Sequence, residues 1–159
     1  MFALKFIYNE TMQFTSHSPQ ETYDMAFKLG SMIKPPFVLF LDGELGSGKT
    51  FFTNAFAKGL GLEHVVNSPT FVMMKIYEGK LRLVHVDAYR LENVTEPIGV
   101  LDELDDDTVL VVEWSRYLNE AVTPDLNVKI KIKGESHREI TLEPQSDKLC
   151  NLEVLCGKL

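Results

Sequence analysis

The chain has 159 residues, about the length of one ordinary domain, with 45% hydrophobic and 25% charged residues, a balance that argues against disorder. Its formal net charge of -7 opposes long-range attraction to phosphate backbones, so general nucleic-acid binding by the chain alone is not expected. Apolar runs fall far short of the ~20 residues a membrane helix needs, and Met1 to Glu10 lack the pattern of a secretory signal. A cytoplasmic protein without a membrane span is the expectation.

In chain order, Leu4 to Tyr8 and Met12 to Thr15 read as short strands. Ser18-Pro19-Gln20-Glu21 marks a helix start, with a serine cap, proline at the first helical position and glutamate three residues after the cap. That helix runs to about Ile33, since Pro35 and Pro36 oppose continuation. Phe37 to Leu41 is almost wholly apolar, as suits a strand covered on both faces. A second helix occupies Lys49 to about Leu60, with Gly59 and Gly61 near its end. Further strands are expected at Thr70 to Tyr77, Leu81 to Val86 and Val109 to Val112, with Glu78-Gly79-Lys80 as a hairpin turn. Val128 to Ile132 alternates apolar and basic residues and pairs with Glu139 to Leu142 across Gly134. The result is a single α/β domain with antiparallel additions at the sheet edge. Cys150 and Cys156 stand apart from any His or Cys cluster, so no zinc site is expected. Reduced thiols are the plainer reading beside a disulfide closing a tiny terminal loop.

Gly43-Glu44-Leu45-Gly46-Ser47-Gly48-Lys49-Thr50 fits G-x-x-x-x-G-K-[ST] at every required position, between an apolar strand and a helix. Glycines let the backbone turn tightly and aim successive N–H groups at phosphate oxygens. The helix that follows adds its unpaired N-terminal donors and the positive end of its dipole. Lys49 is expected to reach the β- and γ-phosphates and the Thr50 hydroxyl to ligate Mg²⁺. The nucleotide-binding candidates are Glu44, Leu45, Gly46, Ser47, Gly48, Lys49, Thr50 and Phe51, with Mg²⁺ and ATP or ADP as cofactors.

A second metal-side carboxylate is expected at the end of another apolar strand. Asp87 follows Leu81 to Val86, and Glu113 follows Val109 to Val112, the more continuously apolar run. Glu113 ranks first as ligand, with Asp87 as a close water-positioning or outer group; Lys49, Asp87 and Glu113 are the catalytic candidates. His85 reads as a packed, hydrogen-bonded imidazole. Trp114 either shields the site or fills a core edge. No arginine finger is assignable among Arg90, Arg116 and Arg138. The acidic stretch Asp102 to Asp107 reads as a solvated loop or helix end, with attraction of a basic partner as the alternative.

With these residues in place the chain resembles the TsaE family, the small bacterial P-loop ATPases of tRNA threonylcarbamoyladenosine biosynthesis. The resemblance rests on the P-loop, Asn67-Ser68-Pro69-Thr70-Phe71, His85-Val86-Asp87-Ala88-Tyr89-Arg90-Leu91 and Val112-Glu113-Trp114, in that order. Glu44, Ser47 and Ala88 depart from the commoner family residues without removing a phosphate or metal group, and the tail after about Leu142 is not covered. The resemblance implies a P-loop NTPase fold, a mainly parallel central sheet flanked by helices with antiparallel edge strands. It implies a switch-like segment at Ser68, Pro69 and Thr70, and base contacts near Gln20, Thr22 and Arg138. It further implies an ATPase, weak alone, that acts on a complex of two partners, TsaD and TsaB, and meets tRNA only through that complex. A P-loop small-molecule kinase and a nucleotide-responsive interaction module are the alternatives. No arginine-rich lid of the kind such kinases carry is evident.

Overall fold

The computed structural model describes residues 10–63, 66–69 and 72–149. The strand expected at Leu4 to Tyr8, the residues Thr70 and Phe71, and both cysteines lie outside the described residues. The elements are β1 (Met12–Ser16), α1 (Pro19–Met32), β2 (Phe37–Gly43), α2 (Lys49–Gly59), β3 (Met74–Glu78), β4 (Arg82–Asp87), β5 (Thr108–Glu113), β6 (Leu126–Ile132) and β7 (Arg138–Pro144). Short 3-10 turns occupy Tyr89–Leu91, Leu101–Glu103 and Ser115–Tyr117. Among the described residues no helix is long and apolar enough to cross a membrane.

Local chemistry starts α1 where the sequence marks it. Ser18 Oγ accepts the Glu21 N–H at 3.2 Å, and Pro19 occupies the first turn. Glu21 Oε2 reaches back to accept the His17 N–H at 2.7 Å, one residue earlier than in the usual capping box. α1 buries Thr22, Met25, Ala26 and Leu29, which recur at the three- and four-residue spacing of one helix face.

The strands form one seven-stranded sheet in the order β1-β7-β6-β2-β5-β4-β3. β6, β2, β5 and β4 are parallel neighbours, while β3, β7 and β1 join antiparallel at the two sides. The mainly parallel centre with antiparallel edges matches the expectation from sequence. All six residues of β5 are buried, as a strand between two parallel neighbours requires.

Period-two alternation then divides the core. Phe37, Leu39 and Leu41 of β2, Leu83 of β4, Val109 and Val111 of β5, and Leu126 and Val128 of β6 pack with Leu29, Phe52 and Phe56 of the helices. Full burial of each large side chain in this layer contributes ~1.5–3 kcal/mol. Val84, Val86, Leu110 and Val112 face the other way, beneath Leu91, Val100, Trp114 and Tyr117. Both helices therefore lie on one face, and the turns after β4 and β5 cover the other.

Several boundaries differ from expectation: β2 runs on to Gly43, β6 begins at Leu126 and β7 extends to Pro144, while β3 and β4 start later than their sequence runs. β3 begins at Met74 rather than Thr70, because the N–H groups of Val72 and Met73 both turn back to Pro69 O, at 3.1 and 2.6 Å. Met73 sits at φ 64°, outside any strand conformation. β4 starts at Arg82, whose side chain bonds Glu103 O at 2.8 Å and Glu78 Oε1 at 3.1 Å. These contacts also bring part of the acidic stretch into the fold: Asp105 accepts from Thr108 Oγ1 at 2.7 Å and from the Asp107 N–H at 2.9 Å.

Candidate functional site

Register brings the C-terminal ends of three parallel strands to one edge. Leu41 of β2 stands opposite Glu113 of β5, and Glu113 stands opposite Asp87 of β4. Open parallel sheets take their ligands at this edge, where successive connections diverge. The loop between β2 and α2 starts there. Gly48, with φ 103°, caps α2 in a conformation that favours glycine, and its carbonyl accepts the Phe52 N–H at 2.8 Å. The N–H groups ahead of Phe52 belong to the first turn, which has no intrahelical acceptors.

Lys49 opens α2 and is only 6% exposed. Its Nζ donates to Gly43 O at 2.7 Å and Glu44 O at 3.0 Å, and lies 4.5 Å from the centroid of the Trp114 ring. Burial pushes the ammonium below the ordinary lysine value, while Glu113, Asp87, Asp42 and Glu44 pull it back up. Lys49 is thus a cation held among carboxylates, with carbonyl oxygens as its hydrogen-bond partners.

A cavity of about 400 Å³ opens beside it, lined by Gly46, Thr50, Ser68, Asp87, Glu113 and Trp114 among others. Glu113 is 2% exposed, and its Oε1 lies 2.8 Å from His85 Nε2. Asp87 Oδ1 accepts the Tyr89 N–H at 3.0 Å, and the Ser68 hydroxyl donates to Oδ2 at 3.5 Å. The donors facing this cavity are hydroxyl and carboxylate oxygens, the chemistry of a hard cation. Among the described residues no three His, Cys, Asp or Glu side chains are grouped to hold a metal unaided. A hard cation such as Mg²⁺ takes one or two carboxylates and completes its shell with phosphate and water oxygens, and Thr50, Asp87 and Glu113 are the lining residues that could hold one.

A second cavity of about 200 Å³ adjoins the first, sharing Gly48 and Phe51, and is lined further by Pro19, Thr22, Ser47, Glu135 and Arg138. Arg138 Nε donates to Ser47 O at 3.0 Å, and Nη1 to Gly134 O and His137 O at 2.9 Å each. It therefore ties the β6–β7 hairpin to the loop backbone. Thr22 is buried, with its hydroxyl 2.6 Å from Ser16 Oγ.

The structure gathers Leu45 to Phe51, Ser68, Asp87 and Glu113 around one pair of cavities, with Thr22 and Arg138 at the far end, whereas Glu44 lines neither and meets the site through its carbonyl on Lys49 Nζ. Gln20 is not gathered: its amide donates to Asp24 Oδ1 at 2.7 Å on an exposed face, and it lines neither cavity. Pro69 is buried beside Ser68, and Thr70 falls outside the described residues. Trp114 lines the larger cavity and packs on the loop-covered core. Arg116 stacks over Trp114 and Tyr117, at 5.1 and 4.8 Å from the ring centroids.

Sequence reading missed two supports. Asp42 clamps the turn after β5, accepting from the Ser115 N–H at 3.1 Å and the Ser115 hydroxyl at 2.7 Å. Tyr89 and Tyr117 pack at 5.0 and 6.3 Å from the Trp114 ring. The Tyr89-Arg90 pair after Asp87 was a visible signal for the first of these aromatics, but nothing in the spacing ties Asp42 to Ser115.

A strand running into a glycine loop, a buried lysine opening the next helix and a carboxylate closing the adjacent strand define a P-loop NTPase fold. The crystal structure of Bacillus subtilis YdiB superposes with a TM-score of 0.74 at 33% identity, covering 94% of each chain. The family model described as "Threonylcarbamoyl adenosine biosynthesis protein TsaE" matches residues 16–140. The tRNA threonylcarbamoyladenosine biosynthesis protein TsaE of B. subtilis is 40% identical over 144 residues, 89% of both chains. Its counterpart from Treponema pallidum is 32% identical, over 82% of this chain and 99% of the relative. The chain belongs to the TsaE family, which takes its name from the biosynthesis of this modified nucleoside in tRNA.

Proposed function

We propose that this chain binds Mg·ATP across the two adjoining cavities and hydrolyses it weakly, in the cytoplasm, in support of threonylcarbamoyladenosine synthesis on tRNA. The observation that carries the reading is the position of Lys49, buried at the start of α2 and bonded to Gly43 O and Glu44 O within the loop. A lysine so placed is preorganised for an anion that offers it oxygens in place of those carbonyls. The α2 N-terminus adds backbone donors to the same spot. The smaller cavity, between Thr22, Phe51 and Arg138, accommodates the base and sugar.

Thr50, Asp87 and Glu113 are the residues that would hold the cation, with Glu113 first and Asp87 beside it. Bound there, Mg²⁺ supplies charge neutralisation across the phosphoryl oxygens. Asp87 and Glu113 are also the groups able to orient a water, and Lys49 stabilises charge that builds on the leaving oxygen. Ser68 joins the metal side to the segment that turns at Pro69, so loss of the terminal phosphate is felt by that segment. None of the described residues supplies an evident arginine to the phosphate cavity, which accords with slow turnover until a partner acts. The partner in this reading is a TsaD–TsaB complex, and tRNA is met only through it.

Calorimetric titration with Mg·ATP and Mg·ADP tests the binding half; absence of heat with both ligands refutes it. ATP turnover measured with and without the TsaD–TsaB complex tests the rest, and equal rates count against the proposed partnership.

A further inference from the structure

His85 lies on β4, two residues before Asp87, on the helix-facing side of the sheet with Leu83. It is fully buried, in the layer between the apolar core and the carboxylates at the strand ends. Its Nε2 is 2.8 Å from Glu113 Oε1, and among the described residues its Nδ1 has no hydrogen-bond partner. An imidazole serving only as filler has no use for either nitrogen, and leaving a buried one unpaired costs stability that an apolar side chain avoids. The bond to Glu113 is what the ring contributes.

We propose that His85 is a positioning residue for Glu113: the 2.8 Å contact fixes Oε1 and thereby reserves Oε2 for the phosphate-side cavity that Glu113 lines. The inference rests on the function proposed above and deepens it. In the Nε2–H tautomer the ring donates to the carboxylate, and Nδ1 is left as the unpaired acceptor. Glu113 is also anchored through its backbone, whose carbonyl accepts the Ala88 N–H at 3.0 Å. With main chain and Oε1 both fixed, little torsional freedom is left to the side chain. Outer groups of this kind set the orientation and basicity of a ligating side chain without touching the ligand themselves.

The test compares wild type with His85→Gln, His85→Asn and His85→Leu. A glutamine amide extends about as far from the backbone as Nε2, whereas an asparagine amide stops near Nδ1, short of Glu113. Each protein is titrated with ADP in EDTA, then with ADP over a Mg²⁺ series, and ATP turnover is measured with the partner complex. In EDTA, ADP affinity stays at the wild-type value in all four. His85→Leu and His85→Asn raise the Mg²⁺ midpoint, or lower kcat at unchanged KM, by ~10–100-fold. His85→Gln retains most of the wild-type response.

A Gln variant as impaired as the Leu variant overturns the inference, as does a Leu variant whose Mg²⁺ midpoint and kcat both match wild type. Should His85→Leu fail to fold by circular dichroism, the contrast between Gln and Asn decides alone. A wild-type protein whose ADP affinity ignores Mg²⁺ sinks the proposed function and this inference together. A wild-type Mg²⁺ midpoint and kcat shared by all three variants sink only the inference.

Discussion

Gly59 and Gly30 sit where α2 and α1 cross, and they set two effects of opposite sign against each other. A Cβ added at Gly59 falls 2.0 Å from Phe27 O, and one added at Gly30 falls 2.1 Å from Phe56 O. Both obstacles are backbone carbonyls of the opposing helix, so no rotamer change relieves them. Reaching an ordinary carbon–oxygen separation of about 3.3 Å requires the helices to part by about 1.3 Å at Gly59. Helix propensity alone favours alanine over glycine by ~0.5–1 kcal/mol. Overpacking costs ~1–3 kcal/mol, and a clash with main chain belongs at the upper end. Gly59→Ala is therefore expected to destabilise by about 2 kcal/mol, which for a chain of this length is a fall of ~4–8 °C in Tm. Urea unfolding followed by circular dichroism measures it, with the shift appearing in the midpoint rather than the slope. Lys49 lies at the other end of α2, about 15 Å away, so ADP affinity falls less than stability does. An unchanged or raised midpoint refutes the argument, because propensity would then have outweighed the crossing.

At the loop, Lys49→Met removes charge-assisted hydrogen bonds worth ~1.5–3 kcal/mol and raises the calorimetric Kd for Mg·ADP by ~10–150-fold. Because burial lowers the free protein's Lys49 pKa, ADP affinity declines with rising pH before the ordinary lysine range near ~10.4 is reached, and binding in that window takes up a proton. Titrations in buffers of different ionisation enthalpy read the uptake directly. In the same window the unfolded chain binds more protons than the folded one, so the nucleotide-free stability contributed by this group rises with pH. Thr50→Val leaves ADP binding in EDTA intact but abolishes most of the gain from Mg²⁺, measured by the same titrations. Arg138→Gln removes the Nε contact to Ser47 O, and ADP affinity falls ~3–10-fold because a half-buried contact is partly replaced by water; wild-type affinity would show that the hairpin does not hold the loop.

What the sequence made legible is what short-range chemistry decides. Ser18-Pro19 starts α1, the P-loop glycines place the α2 cap, and unbroken apolar runs at Phe37 and Val109 become neighbouring strands. Once those strands align, Asp87 and Glu113 must meet, because each ends a strand in the same parallel set. The β3 boundary was misplaced because Pro69 collects two N–H groups into a turn, and β-propensity over the following residues does not register that competition. Gln20 became a candidate through the family resemblance, which implies base contacts near the first helix, yet Asp24, one turn later on the same face, takes its amide. The contacts that fix the site span long separations: 73 residues from Asp42 to Ser115, 91 from Ser47 to Arg138, and 28 from His85 to Glu113. No periodicity encodes them, because each depends on which strands lie side by side. The groups that touch a phosphate or a cation can thus be read from local spacing, whereas those that hold them in place become visible only once the sheet order is known.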